Sequence, residues 1–165
     1  NKSLFTNQLD FLKNLNIDLQ NNLCVKLGDR YLDETKDKIN IINKNIKNLS
    51  TFKPAYKYDN LISIFSYDST GFYEHLCLNK PAIMYYNFNH DDINQNAKIY
   101  YDKLKSVNII HSSPIEAAKF INNNYVNLLD WWYTNETQSI ISDFNKNYNK
   151  YTSDPVKKII DEFKL

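Results

Sequence analysis

Two hydroxyl residues, a glycine and a carboxylate lie close together in the segment that begins at Ser69. Ser69 and Thr70 can donate hydrogen bonds to phosphate oxygens, and Gly71 allows the backbone to approach a ligand closely. Glu74 follows Thr70 by four residues, which places both side chains on one face of a helix. A carboxylate there can accept hydrogen bonds from two vicinal hydroxyls, such as those of a ribose or a polyol. The pattern indicates a site for a phosphate and a neighbouring ribose, although the same residue types also serve as ordinary helix caps.

Two histidines at the ends of predicted strands form a second group of candidate ligands. His90 lies in the loop after one predicted strand, and His111 ends the next. The carboxyl ends of parallel strands meet at one edge of a sheet, so we expect both histidines at the same edge as residues 69–71. Each could contact a bound ligand or only cap the helix that follows. His75 lies inside a predicted helix, and we expect it to be structural.

The elements that must position these residues alternate between strands and helices. Short apolar runs predict strands at residues 22–27, 61–66, 81–85 and 108–110. Apolar side chains at helical spacing predict helices near residues 3–15, from 33 onward, and near 70–79, 93–104, 113–123, 126–132, 134–149 and 154–164. Because strands that alternate with helices form parallel sheets, we expect an α/β fold. The predicted organisation is a Rossmann-like parallel sheet in residues 1–125 and a helical C-terminal extension in residues 126–165.

One helix start is specified by local sequence. Ser113 is a typical N-cap residue, Pro114 suits the first turn, and Glu116 completes a capping box. We therefore expect the helix near residues 113–123 to begin at Ser113.

The charge balance gives no support for a nucleic acid or an anionic membrane as the main partner. The chain has 20 basic and 19 acidic residues and a formal net charge of +1. The polar excess is mostly asparagine, with 25 residues, and 19 of the 20 basic residues are lysine. This bias is typical of an AT-rich genome, so single asparagines carry little functional weight. For the same reason we expect residues 39–48 to be solvated.

The two cysteines, Cys24 and Cys77, each lie in an apolar segment. We expect buried free thiols rather than a disulfide, in a reducing compartment. No Cys/His spacing is typical of a metal site, and we expect neither a metal nor a cofactor. No apolar run approaches the length of a membrane span, and no signal peptide is visible. The expected location is the cytoplasm, with the inner face of the membrane as an alternative.

A set of short motifs occurs in a fixed order between residues 5 and 150. These are Phe11-Leu12, Val25-Lys26-Leu27, Thr70 to Pro81, Asn87 to His90, Ile109-Ile110-His111, Ala117-Ala118 and Trp131-Trp132. The ordered set resembles the transferases encoded in bacterial surface-carbohydrate gene clusters. The segment from Ser69 to Pro81, with the strand that follows, is also similar to CDP-glycerol glycerophosphotransferases and to the peptidoglycan N-acetylglucosaminyltransferase. All of these resemblances are to the donor-binding half of GT-B transferases.

The chain departs from the surface-carbohydrate transferases at three places. Lys26 stands where they carry an arginine, Gly28-Asp29-Arg30 replaces a Pro-Tyr turn, and Tyr73 replaces a leucine before the acid. A lysine keeps the charge of an arginine but not its bidentate geometry, so Lys26 and Arg30 are rival cations for a phosphate.

The resemblance implies that the chain is the donor-binding C-terminal half of a glycosyltransferase-like enzyme. Such an enzyme would use a nucleotide-activated sugar in the biosynthesis of surface polysaccharide or glycoconjugate. It would need no metal. The implied donor contacts are Ser69, Thr70, Gly71 and Lys26 or Arg30 for the diphosphate, Glu74 for the ribose, and Asn87, His90 and His111 for other groups.

The chain offers no candidate for the base that activates the acceptor. The resemblance therefore implies a missing N-terminal domain and little activity of the isolated chain. It also implies that Trp131 and Trp132 pack between C-terminal helices that cross back toward that domain, rather than stacking on a sugar. Two alternatives stay open, which are a CDP-polyol phosphotransferase and a non-catalytic nucleotide-binding or assembly module.

Overall fold

The computed structural model describes residues 2–26, 32–49, 61–86 and 94–149. The helices are α1 (Lys2–Asn14), α2 (Ile17–Asn21), α3 (Leu32–Ile42), α4 (Thr70–Cys77), α5 (Gln95–Ser106), α6 (Pro114–Asn124), α7 (Leu128–Trp132) and α8 (Asn135–Tyr148). The strands are β1 (Cys24–Lys26), β2 (Lys47–Leu49), β3 (Ser63–Phe65), β4 (Ala82–Tyr85) and β5 (Ile110–His111), and a 3-10 turn (Tyr125–Asn127) joins α6 to α7. None of the helices described here is long and apolar enough to cross a bilayer.

Every strand pairing among the described residues is parallel, which confirms the predicted Rossmann-like α/β fold. β3, β4 and β5 form one sheet in that order, and β1 pairs with β2 in a second sheet. In the first sheet Ile64 lies opposite Ile83, and Tyr85 lies opposite His111. Strands are found at all four predicted places, whereas β2 and α2 were not predicted. The helix predicted at residues 154–164 lies outside the described residues.

Helices cover both faces of the β3–β5 sheet. Ile83 and Tyr85 of β4 belong to a core cluster with residues of α1 and α6, whereas Ala82 and Met84 belong to a cluster with α4, α5 and α8. All four residues are buried. This burial on both faces explains why β4 is a continuous apolar run instead of an alternating one.

The tryptophan pair packs inside the protein. Trp132 is fully buried in the cluster that also holds Phe72 of α4. Its Nε1 donates to Oδ1 of Asn79 at 3.0 Å, and Asn79 has a φ of 50°, in the left-handed region that asparagine tolerates. Nε1 of Trp131 donates to the carbonyl oxygen of Val107 at 2.9 Å. Both indoles thus pack against the protein, as expected, whereas the crossover of C-terminal helices toward another domain stays a prediction.

Hydrogen bonds from α8 and from the residue that follows it hold α4. Nδ2 of Asn145 donates to the carbonyl oxygen of Leu76 at 2.8 Å, and Nδ2 of Asn149 donates to that of Tyr73 at 2.7 Å. The thiol of Cys77 donates to the carbonyl oxygen of Asn149 at 3.0 Å. These contacts attach α4 to α8 and to the residue after it.

The expectation that residues 39–48 are solvated is wrong for part of the segment. Ile39, Asn43 and Ile46 are buried, and β2 begins inside the segment. Buried and exposed residues are mixed within the segment, so its composition alone did not predict which of them are solvated.

Both cysteines are free thiols, as predicted, but Cys24 is exposed rather than buried. Side chains alternate between the two faces of a strand, and in β1 the exposed positions are Cys24 and Lys26, with Val25 half-buried between them. Cys77 is partly buried. Its burial raises the pKa of its thiol, and the negative charge of the nearby Glu74 adds to this effect.

A network of buried amides joins α2 to the end of α3. Nε2 of Gln20 donates to the carbonyl oxygens of Leu12 and Leu15, both at 2.8 Å, and so caps the C-terminal end of α1. Oε1 of Gln20 accepts from Nδ2 of Asn43 at 3.2 Å, and the same Nδ2 donates to Oδ1 of Asn21 at 2.9 Å. Burial of these amides is tolerated because their polar atoms have partners.

Candidate functional site

The carboxyl ends of β3, β4 and β5 form one edge of the sheet. The backbone N–H of Tyr86 donates to the carbonyl oxygen of His111 at 3.0 Å, so the ends of β4 and β5 adjoin. The chain leaves β3 at Phe65, passes through residues 66–69, and enters α4 at Thr70. Residues 66–69 are called the β3–α4 turn below. Open parallel sheets bind ligands at this edge, which makes the turn the candidate site.

Ser69 is the N-cap residue of α4, but its hydroxyl does not cap the helix. Its backbone is extended, with φ −144° and ψ 149°, and its side chain forms no capping hydrogen bond. By contrast, Oγ of Ser113 accepts from the N–H of Glu116 at 3.2 Å, as predicted, and Oγ1 of Thr134 accepts from the N–H of Thr137 at 3.3 Å. The cap interpretation thus explains Ser113 and Thr134 but not the hydroxyl of Ser69.

Thr70 and Glu74 lie on an exposed face of α4. The other side of the helix carries Phe72, His75 and Leu76, all of which are buried. The first turns of α4 therefore present a hydroxyl and a carboxylate, one turn apart, to solvent. Glu74 thus lies outside the core.

Gly71 lies against the last residue of β3. A β-carbon at Gly71 would be 3.1 Å from Cε1 of Phe65, which is tighter than an ordinary van der Waals contact. The glycine thus lets the start of α4 pack closely on the Phe65 ring. A second role for Gly71, in the approach of a ligand to the backbone, stays a prediction.

The other predicted phosphate and sugar contacts belong to segments other than the β3–α4 turn. Lys26 is exposed at the end of β1, in the sheet that β1 forms with β2. Arg30, Asn87 and His90 lie outside the described residues. Within the four described ranges, no group of three or more His, Cys, Asp or Glu residues could hold a metal ion.

His111 is buried on the face of the sheet opposite α4. Its side chain is 7% exposed, and its ring packs against Phe120 of α6 with the centroids 5.3 Å apart. Its neighbour in register, Tyr85, stacks on Phe11 of α1 on the same face. Among the described residues Nε2 of His111 has no hydrogen-bond partner. Burial lowers the pKa of His111, and a hydrogen bond with the Asn108 backbone opposes this only in part.

His75 is structural, as predicted. It is 1% exposed, and its Nδ1 lies 2.7 Å from the carbonyl oxygen of Gly71, to which it donates. Its ring meets that of Phe65 edge to face at 5.1 Å. Its Nε2 is a buried atom without a partner in the described part of the chain, and burial lowers the pKa of the imidazole.

Acidification below the ordinary histidine pKa of 6.5 is expected to destabilise the protein. The folded-state pKa values of His75 and His111 are lowered, so below pH 6.5 the unfolded state binds protons that the folded state does not. The free energy of unfolding therefore falls as the pH falls. Urea unfolding at a series of pH values from about 8 to about 5 measures this dependence.

Substitution of His75 or His111 by glutamine should make stability less dependent on pH, whatever it does to stability at neutral pH. The expectation is wrong if the doubly substituted variant loses as much stability on acidification as the wild type.

Sequence reasoning missed one group of side chains at this edge. The hydroxyl of Tyr73 lies 2.5 Å from Oδ1 of Asp68 and 2.6 Å from the hydroxyl of Tyr101. Asp68 belongs to the β3–α4 turn, and Tyr73 follows it by five residues, in the first turn of α4. An acid just before a helix start and a tyrosine in its first turn are the signal that sequence reasoning could have used.

A family model described as LIC12162 family transferase matches residues 2–163 of the chain. Comparison with curated proteins found no match, and comparison with solved structures also found none. The family match covers nearly the whole chain, including the sheet edge and α4, and agrees with the transferase class that the sequence motifs indicated. The chain therefore belongs to the LIC12162 family of transferases.

Proposed function

We propose that this transferase binds a nucleotide-activated donor at the start of α4. The diphosphate lies against the β3–α4 turn, where the hydroxyls of Ser69 and Thr70 and the first N–H groups of α4 donate to its oxygens. Glu74 accepts hydrogen bonds from the two ribose hydroxyls. The donor sugar is transferred to an acceptor in the biosynthesis of surface polysaccharide or glycoconjugate.

The observation that carries this proposal is the exposed pair formed by Thr70 and Glu74. The pair is exposed on α4, which begins just after the carboxyl end of β3 and whose other face is buried; parallel sheets bind ligands at that edge. Support also comes from Ser69, whose hydroxyl does not cap α4. A hydroxyl, the backbone amides at a helix start and a carboxylate one helical turn away match the order of phosphate and ribose in a nucleotide.

The chemical part of the proposal is stabilisation of the leaving group. As the bond to the donor sugar breaks, negative charge grows on the nucleotide phosphate. The positive end of the α4 dipole and a nearby cation stabilise that charge, which lowers the barrier to transfer. Lys26 and Arg30 are the rival cations, and Asn87 and His90 are further candidate contacts in a GT-B-like arrangement. His111 is not included because its side chain is buried on the opposite face of the sheet.

A panel of nucleotides tests this proposal directly. UDP, CDP, GDP and ADP are added to the whole chain, and thermal shift and titration calorimetry measure binding with and without EDTA. We expect one nucleotide to bind, in a manner that inorganic phosphate weakens and EDTA does not change. Binding of CDP alone would favour a CDP-polyol phosphotransferase. If none of the four binds at millimolar concentration, the proposal is wrong.

Replacing Glu74 by glutamine is expected to weaken binding of the tightest nucleotide by roughly 10- to 100-fold, because charge-assisted hydrogen bonds to the ribose contribute about 1.5–3 kcal/mol. The thermal midpoint of the free protein should not change, since Glu74 is exposed. Titration calorimetry measures the affinity. Glu136 is the matched control because it is an exposed glutamate in the first turn of α8. Equal affinities of the Glu74→Gln and Glu136→Gln variants would exclude the ribose contact.

A further inference from the structure

The β3–α4 turn is held at its first residue from the α1 side of the sheet. Oγ of Ser66 accepts a hydrogen bond from Nε2 of Gln8 at 2.7 Å. The hydroxyl of Tyr85, the last residue of β4, also hydrogen-bonds with Ser66. Gln8 lies on α1, so these contacts fix the point where the chain leaves β3.

The turn is held near its other end by a chain of two phenols. The hydroxyl of Tyr73 donates to Oδ1 of Asp68 at 2.5 Å and lies 2.6 Å from the hydroxyl of Tyr101. A phenol has one proton, and a carboxylate can only accept. Tyr73 therefore gives its proton to the Asp68 hydrogen bond and accepts from Tyr101. Because the Asp68 carboxylate can only accept, the hydrogen bonds run from Tyr101 to Tyr73 and from Tyr73 to Asp68.

The surroundings keep Tyr73 in place and protonated. Its ring lies parallel to that of Phe144 of α8, with centroids 6.0 Å apart and an interplanar angle of 5°, and meets Phe72 edge to face at 5.4 Å. Burial first, and the hydrogen bond to Asp68 second, raise the pKa of Tyr73 far above the physiological range. The phenol thus remains a donor that is fixed by the core and directed at a surface carboxylate.

We propose that Tyr73 is a positioning residue that acts through Asp68. By holding the Asp68 carboxylate, it keeps the β3–α4 turn in the geometry in which Ser69 and Thr70 face the ligand. Asp68 immediately precedes Ser69, so a shift of Asp68 moves the Ser69 hydroxyl and the first N–H groups of α4 with it. The effect on ligand binding rests on the proposed function, whereas the effect on the turn does not.

The first test measures the turn without any ligand. In the Tyr73→Phe variant, the N–H of Phe72, which donates to the carbonyl oxygen of Ser69 at 3.1 Å, should exchange with deuterium about tenfold faster, because a hydrogen bond to a charged group is lost. The N–H of Gln138, which donates to the carbonyl oxygen of Thr134 at the start of α8, should keep its exchange rate. Exchange is followed residue by residue by NMR.

Tyr148→Phe is the matched control for this experiment. The ring of Tyr148 also packs on Phe144, but its hydroxyl donates to the carbonyl oxygen of Asn96, away from the turn. The Tyr148→Phe substitution also removes one phenolic oxygen from the aromatic cluster around Phe144. It should leave the exchange rate of the Phe72 N–H unchanged. If Tyr73→Phe does the same, the positioning role is refuted.

The second test measures affinity in a double-mutant cycle with the tightest of UDP, CDP, GDP and ADP. Tyr73→Phe and Asp68→Ala should each weaken binding about tenfold, and the double variant should bind no more weakly than either, because both act through one contact. Asp68→Asn keeps an oxygen that can accept from Tyr73, so it should bind within about threefold of the wild type.

The outcomes separate the two proposals. Additive effects, or a loss in Asp68→Asn as large as that in Asp68→Ala, would show that Asp68 contacts the ligand itself and would overturn the positioning role. Absence of nucleotide binding by the wild type would overturn the proposed function, and the exchange experiment would then decide the positioning role alone.

Discussion

Replacing Trp132 by alanine is expected to lower the free energy of unfolding by about 3–5 kcal/mol. Trp132 is fully buried among residues of α4, β4 and α8, and no small shift of the backbone can fill the space that its indole leaves. The substitution also removes the partner of the Asn79 amide at the end of α4. Urea unfolding followed by circular dichroism measures the loss.

Two further variants serve as controls for the Trp132→Ala substitution. Tyr133→Ala removes the neighbouring aromatic residue, which is 55% exposed, and should cost less than about 1 kcal/mol. Trp132→Phe keeps most of the buried volume but loses the hydrogen bond to Asn79, so its effect should be intermediate. Similar losses in Trp132→Ala and Tyr133→Ala would contradict the packing of α7 into the core.

Replacing Gln20 by alanine should lower the free energy of unfolding by about 2–4 kcal/mol, because it leaves buried carbonyl groups without donors. These are the carbonyl groups of Leu12 and Leu15 at the end of α1. The Asn43 amide also loses the oxygen that accepts from it. Unfolding in urea measures the change.

The control for Gln20 is Gln95→Ala, the same chemical change at the exposed first residue of α5, which should change stability by no more than about 0.5 kcal/mol. The double variant Gln20→Ala, Asn43→Ala should lose less than the sum of the single losses, since the two amides share a hydrogen bond. Strict additivity would show that the network does not act as a unit.

The features that the sequence predicted well are those that a few adjacent residues determine. The strand β4 follows from an apolar run after Pro81, and the start of α6 follows from the capping box of Ser113 and Glu116. Parallel pairing followed from the alternation of such strands with helices. No knowledge of distant contacts was needed for any of these.

The elements that escaped prediction depend on partners distant in sequence. β2 has three residues and lies beside β1, which precedes it by more than 20 positions, so nothing within the segment indicated a strand. Gln20 and Asn43 likewise became structural only because the fold brings them together. Discounting asparagines as a bias of composition hid this network.

Only those features of the candidate site that depend on local sequence could be predicted. The exposed pair of Thr70 and Glu74 follows from helical spacing. The orientation of the His111 side chain could not be predicted in this way. A shift of one residue in the register of β5 would move the side chain to the other face of the sheet. The contact of Tyr73 with Asp68 spans five residues and has a local signal, whereas its contact with Tyr101 depends on the fold that brings α4 and α5 together.

The attachment of α4 to α8 has a consequence for ligand affinity. Asn145 and Asn149 hold the carbonyl groups of Leu76 and Tyr73, in the last and middle turns of α4, while its first residue follows the candidate site. A ligand that binds there meets a helix whose backbone freedom was already lost during folding, so association need not include that entropic cost. For the proposed donor site, α8 and Asn149 thus preorganise α4 through contacts that the ligand need not make.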